Sequence, residues 1–188
     1  MLIRLALLRV ALLIIAFAII RLFFVSIGFI YILSDPIPED AQEVFSGTAF
    51  EVLQEVRARA GMTQKCRLFI SRDEYYGRGG IRAGWHDIFI LIDPRVEQWP
   101  RGALRGLFAH ELGHWANGHL TFKSYLYSNL AFKVNDERKQ GEADAWAVLT
   151  VGRKDLMDCL FKLNTYVSKR VEKFEEVLRE KGQLKQAN

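Results

Sequence analysis

The stretch A-H-E-L-G-H-W-A-N-G-H, residues 109 to 119, decides how the rest of this chain is read. It holds three of the four histidines, and two of them, His110 and His114, stand four apart around Glu111. On a helix, residues i and i+4 share a face with Cβ atoms about 5 to 6 Å apart, so the two imidazoles can converge on one ion. Glu111 is rotated about 100° from His110 and lies beside that point rather than on it. Zinc suits such a pair, because it takes imidazole nitrogen at about 2.0 to 2.1 Å and, in catalytic sites, keeps three protein ligands and one open position. The H-E-x-x-H spacing therefore marks His110 and His114 as metal ligands and Glu111 as a general base placed to take a proton from water.

The residues around the motif predict a buried helix from Arg101 to Gly118. Leu104, Phe108, Leu112 and Trp115 form an apolar stripe beside the histidine face, while Ala109, Gly113 and Ala116 leave room for close packing. His119 comes nine residues after His110; a third ligand of the metzincin kind would stand at ten, where Leu120 is. His119 is thus expected to support a ligand or the structure rather than to ligate. His86, in G-W-H-D, reads as a surface-turn histidine.

Further out, Gln42 to Ala60 repeats apolar positions at Val44, Val52, Val56 and Ala60 and stops at Gly61, the pattern of one helix closed by a glycine. C-R-L-F-I-S (66–71) and I-F-I-L-I-D (88–93) read as short strands, the second closed by Pro94. Between them Y-Y-G-R-G-G-I-R-A-G-W-H-D (75–87), with four glycines, reads as a flexible loop or hairpin. Another helix is expected from Asp136 to Val151. Leu156, Leu160, Leu163, Val167, Val171, Phe174 and Leu178, at spacings of three and four, predict one long amphipathic helix whose charged tail frays from Arg179.

The amino-terminal part is of another kind. Residues 1–33 carry only Arg4, Arg9 and Arg21 as charges, and setting these aside reduces the net charge from +4 to +1, so no nucleic-acid partner is expected. From Val10 to Leu33 the chain is apolar apart from Arg21, Ser26 and Gly28, and a helix of that length rises about 36 Å, against a hydrocarbon core of about 30 Å. Residues 1–34 are therefore expected to anchor the protein in membrane lipid as a single pass, even though Arg21 at mid-bilayer costs at least about 2.5 to 3.5 kcal/mol. Residues 35–41, with two prolines and three acids, form the linker. Arginines before the span and acids after it favour a cytoplasmic N-terminus and a folded domain on the opposite side. Cys66 and Cys159 lack any CxxC pattern and read as two buried thiols, and nothing in the sequence sets an oligomeric state.

The segment E-R-K-Q-G-E-A-D-A-W-A, residues 137–147, resembles the E-x-x-A-D-x-x-A stretch that follows H-E-x-x-H in gluzincin metallopeptidases. Together with H-E-L-G-H-W-A-N-G-H it makes the chain, over residues 66 to 150, similar to the zinc metallopeptidases of the HtpX and CAAX-prenyl-protease type. The resemblance implies an α+β protein: a membrane helix, then a compact gluzincin-like domain (42–188) with a small sheet of short strands packed on the motif helix and C-terminal helices. It implies a Zn2+ ion and endoproteolysis of membrane-associated or misfolded proteins, with the protein or peptide substrate extended along an edge strand, either I-F-I-L-I-D or the segment around Ile81. It also implies that Asp144 orients His110. Four residues before Asp144, where the family has a glutamate ligand, this chain has Gln140; helix geometry puts it nearest the metal, with Glu142 as the alternative third ligand and Glu137 one turn earlier on the Gln140 face. Two functions stay open: a membrane-anchored zinc endopeptidase, or a catalytically silent zinc-binding pseudoprotease acting as a tethered protein-binding module.

Overall fold

The computed structural model describes residues 2–34, 37–72, 79–84, 87–122, 124 and 136–186. His86 lies outside them. Among the described residues the architecture is mixed α+β, with an N-terminal apolar helix, five further α-helices and one four-stranded mixed sheet. In chain order these are α1 (Leu2–Ser34), β1 (Gln42–Val44), α2 (Thr48–Arg59), β2 (Lys65–Ile70), β3 (Gly79–Ala83), β4 (Asp87–Ile92), α3 (Arg101–Ala116), α4 (Asp136–Val151), α5 (Arg153–Leu163) and α6 (Val167–Glu180).

α1 is apolar on every side, and its stretch Arg9–Ile30, 22 residues, is long and apolar enough to cross a membrane, which takes about 20. Leu13, Phe17 and Phe24 in it are 70%, 67% and 66% exposed, so no protein core accounts for their hydrophobicity. Near its end, Phe29 meets Phe122, just beyond α3, with ring centroids 5.1 Å apart.

The sheet runs β1-β2-β4-β3. β2 and β4 are parallel, while β1 joins β2 and β3 joins β4 antiparallel. The glycine-rich stretch between β2 and β4 therefore contributes a strand, and the hairpin is formed by β3 and β4, closed by Gly84 N–H donating to the Asp87 carbonyl at 2.9 Å. β4 is buried on both faces, which explains its unbroken I-F-I-L-I run. Ile88, Ile90 and Ile92 join Leu68 in the main core, and Phe89 and Leu91 join Phe69 in a smaller cluster on the other face.

Two expectations about helices are corrected. Gln42–Val44 is a strand and the helix begins only at Thr48: Gly47, at φ +95°, turns the chain, and an ion pair between Glu43 and Arg67 holds β1 to β2. The C-terminal helix is two helices. Asn164 takes a left-handed conformation, φ 52°, and ends α5 before α6 starts at Val167. The three-four spacing carries across the break because both helices turn apolar faces to one core, which holds Leu156 and Leu160 from α5 and Phe174 and Leu178 from α6. Helix persists through Arg179 to Glu180, and Leu184 beyond it packs on the core, so the tail is held rather than frayed at Arg179.

α3 is the central helix. Gly106 lets it approach Asp155 and Cys159 of α5, and a Cβ on Gly113 would stand 2.7 Å from the Ala143 carbonyl oxygen of α4. This close α3–α4 contact puts the H-E-x-x-H turn against the E-A-D turn.

Candidate metal centre

His110 is 6% exposed, and its Nδ1–H donates to Asp144 Oδ1 at 2.8 Å. Asp144, on α4, is fully buried and takes two further bonds from Arg170 of α6, Nε at 2.6 Å and Nη2 at 2.7 Å. Burial raises the Asp144 pKa, but the His110 and Arg170 contacts outweigh it, and the net effect holds the carboxyl below its ordinary range. Arg170 Nη2 is also 3.4 Å from His110 Nδ1. The ionised carboxylate only accepts, so its 2.8 Å contact requires a proton on Nδ1 and leaves Nε2 as the nitrogen through which the neutral ring would ligate.

His114 is set by another chain of contacts. Its Nδ1 lies 2.9 Å from His119 Nδ1, and His119 Nε2 lies 2.9 Å from Glu142 Oε2. Burial lowers the His119 pKa even though Glu142 pulls the other way, a direction that favours its neutral ring. The Glu142 carboxylate accepts the single His119 proton at Nε2, His119 Nδ1 accepts from His114, and His114 carries its proton on Nδ1. Burial and then the neighbouring histidines lower His114 to about 3.

The two Nε2 atoms that result face each other at 3.3 Å. Two ring nitrogens this close need a cation between their lone pairs, either one ring proton in a hydrogen bond or a metal ion. Two nitrogens bound tetrahedrally to zinc at about 2.0 to 2.1 Å are separated by about 3.3 to 3.4 Å. The pair present fits a zinc ion in donor type and spacing.

Glu111 is 8% exposed, and among the described residues no hydrogen bond holds its carboxylate. Burial pushes its carboxyl above the usual range, a direction that suits a group cycling between base and acid. The other acids are committed elsewhere. Glu137 pairs with Lys169 at 2.6 Å in solvent, and both Glu142 oxygens are engaged, Oε2 by His119 and Oε1 by Arg138 Nε at 3.0 Å. Gln140 makes no hydrogen bond among the described residues and lines a cavity of about 480 Å³ between α4 and α6, together with Arg170 and Lys173. Gly141 sits within an unbroken helix, with Lys173 close against it. Among the described residues no set of three His, Cys, Asp or Glu side chains surrounds a single metal position.

The structure thus joins His110, His114, His119, Glu142 and Asp144 in one network, with Glu111 on the same helix, and directs Glu137 elsewhere. Arg170 and Arg138 are its unforeseen members. Arg170 lies 26 residues after Asp144 in a helix whose charges read only as a solvated face, so no local pattern marks it. Both cysteines are free and buried, and burial raises Cys66 to about 11. Of the two segments considered for holding a substrate strand, β4 is flanked on both sides by β2 and β3, whereas β3 has a strand neighbour on one side only among the described residues. The chain matches no protein-family model, no curated protein and no solved structure.

Proposed function

We propose that the protein is a membrane-anchored, zinc-dependent endopeptidase of gluzincin type. The observation that carries this reading is the pair of Nε2 atoms 3.3 Å apart on the H-E-x-x-H turn, each ring held from its Nδ1 side by a polar partner. Bound zinc supplies Lewis acidity, polarising a peptide carbonyl and making water easier to deprotonate. Glu111 takes the proton as the water oxygen bonds to the carbonyl carbon, and returns it to the amide nitrogen as the C–N bond breaks. Asp144 and Arg170 hold His110 in its ligating tautomer throughout. Among the described residues β3 has no strand neighbour on its outer side, and that edge, next to α3, would give an extended peptide a line of backbone partners. α1 tethers the domain to lipid, with the N-terminus cytoplasmic by the placement of arginines and acids.

Gln140 in place of a carboxylate, and the lack of a third donor among the described residues, favour a second reading, a silent zinc-binding module that holds proteins without cutting them. One set of measurements on the detergent-solubilised full chain separates the two. Metal analysis is expected to find about one zinc per chain, lost when both His110 and His114 are alanine. Glu111→Gln is expected to keep the zinc and lose about 100-fold or more of the rate on denatured casein. Stoichiometric zinc in the double histidine variant overturns the metal centre. Zinc in the wild type without cleavage, with activity gained by Gln140→Glu, establishes the silent module instead.

A further inference from the structure

The turn after α3 folds back on the motif. Gly118, at φ +72°, reverses the chain, His119 N–H donates to the His114 carbonyl at 2.9 Å, and the two rings meet with centroids 5.1 Å apart. Asn117 Nδ2 ties this turn to α4, donating to the Glu142 carbonyl at 3.2 Å. The His119 side chain is 8% exposed, and the outer oxygen of Glu142 is steered by Arg138. A tie serving only to hold the helix end would not need an imidazole between two polar partners with one proton in each contact.

We propose that His119 and Glu142 are positioning residues: acting in series, they hold His114 in its Nδ1–H tautomer and aim its Nε2 at the metal position. This is a second brace, separate from the Asp144–Arg170 brace on His110, and it takes Glu142 out of the ligand set. The inference rests on the metal-centre reading above.

Metal ligands held by such partners lose about 10- to 100-fold in affinity when the partner is removed. Zinc titrations of the full chain are therefore expected to show that loss in His119→Ala and in Glu142→Ala, with no further loss in the double variant, because one link already breaks the series. Glu142→Gln keeps an acceptor for His119, and His119→Gln keeps one for His114, so both are expected to stay near wild-type affinity; a ligating Glu142 would lose its carboxylate in either Glu142 variant. Cobalt-substituted protein reports the coordination directly. Its visible bands at saturating cobalt are expected to be the same in Glu142→Ala and wild type, and a changed spectrum would make Glu142 a ligand and overturn the proposal.

Ring-nitrogen NMR of the metal-free full chain reads the tautomers without any metal: a proton on Nδ1 of His114 and on Nε2 of His119. The reverse assignment overturns the brace, as does an unchanged zinc affinity in His119→Ala. A wild type that binds no zinc but shows the expected tautomers defeats the metal-centre reading and upholds the brace as an arrangement of the rings.

Discussion

At the scale of single residues the centre is a problem in proton placement, and His114 is where pH acts on it. Its folded pKa is about 3 against an ordinary 6.5, so between these values the unfolded chain binds a proton that the folded chain refuses. Stability of the metal-free protein therefore falls as pH drops from 6.5 towards 3. Glu111 works in the opposite direction, because its raised folded pKa makes the native state bind the extra proton as pH falls. His114→Gln isolates the histidine. Denaturant unfolding of the metal-free chain at pH 7.5 and 5 is expected to show a smaller loss of stability in this variant than in the wild type, and equal losses would remove His114 as the cause. His110, Glu111 and His114 were legible as a set because helix periodicity alone brings i and i+4 together. Asp144 was legible only through the resemblance, and Arg170 not at all, since its link to Asp144 spans 26 residues with no periodic relation.

At the scale of elements the decisive contact is the close approach of α3 and α4 at Gly113. A methyl group there meets the Ala143 carbonyl oxygen at 2.7 Å and its Cα at 3.0 Å, and backbone cannot rotate away. Alanine is the better helix former by about 1 kcal/mol. Even so, Gly113→Ala is expected to destabilise the domain by about 1 to 3 kcal/mol, the usual cost of overpacking, read as a lower Tm with weaker zinc binding because α4 carries Asp144 and Glu142. A Tm at or above wild type would show that the helices separate freely. Sequence periodicity found α3 and α4 and missed two boundaries. The apolar spacing of residues 156 to 178 suits one helix or two, and only Asn164 in the left-handed region tells them apart. β1 was absorbed into α2 because three residues are too few to show a period of two, and the Glu43–Arg67 pair that holds them comes from a distant strand.

At the scale of the whole molecule α1 stands outside the hydrophobic core of the domain among the described residues. Among the described residues none of α1 belongs to either hydrophobic cluster of the domain, and Phe29 touches the domain at Phe122. Deleting residues 1–33 is therefore expected to release a soluble domain with unchanged helix content by circular dichroism and unchanged zinc affinity; a truncated chain that aggregates or unfolds would show that α1 completes the fold. The sequence by itself determined the apolar span, the i, i+4 spacing of His110 and His114 with Glu111 between them, and the segments that form β2, β4, α3 and α4, because each depends on residues within a turn or a few of one another. Tertiary structure alone decided that β2 and β4 run parallel with β3 outermost, that α4 brings Asp144 to His110 and Glu142 to His119, and that Arg170 closes the network. The side-chain links of the network join residues 23 to 60 positions apart through packing against a shared core, and nothing in local periodicity encodes which buried faces meet.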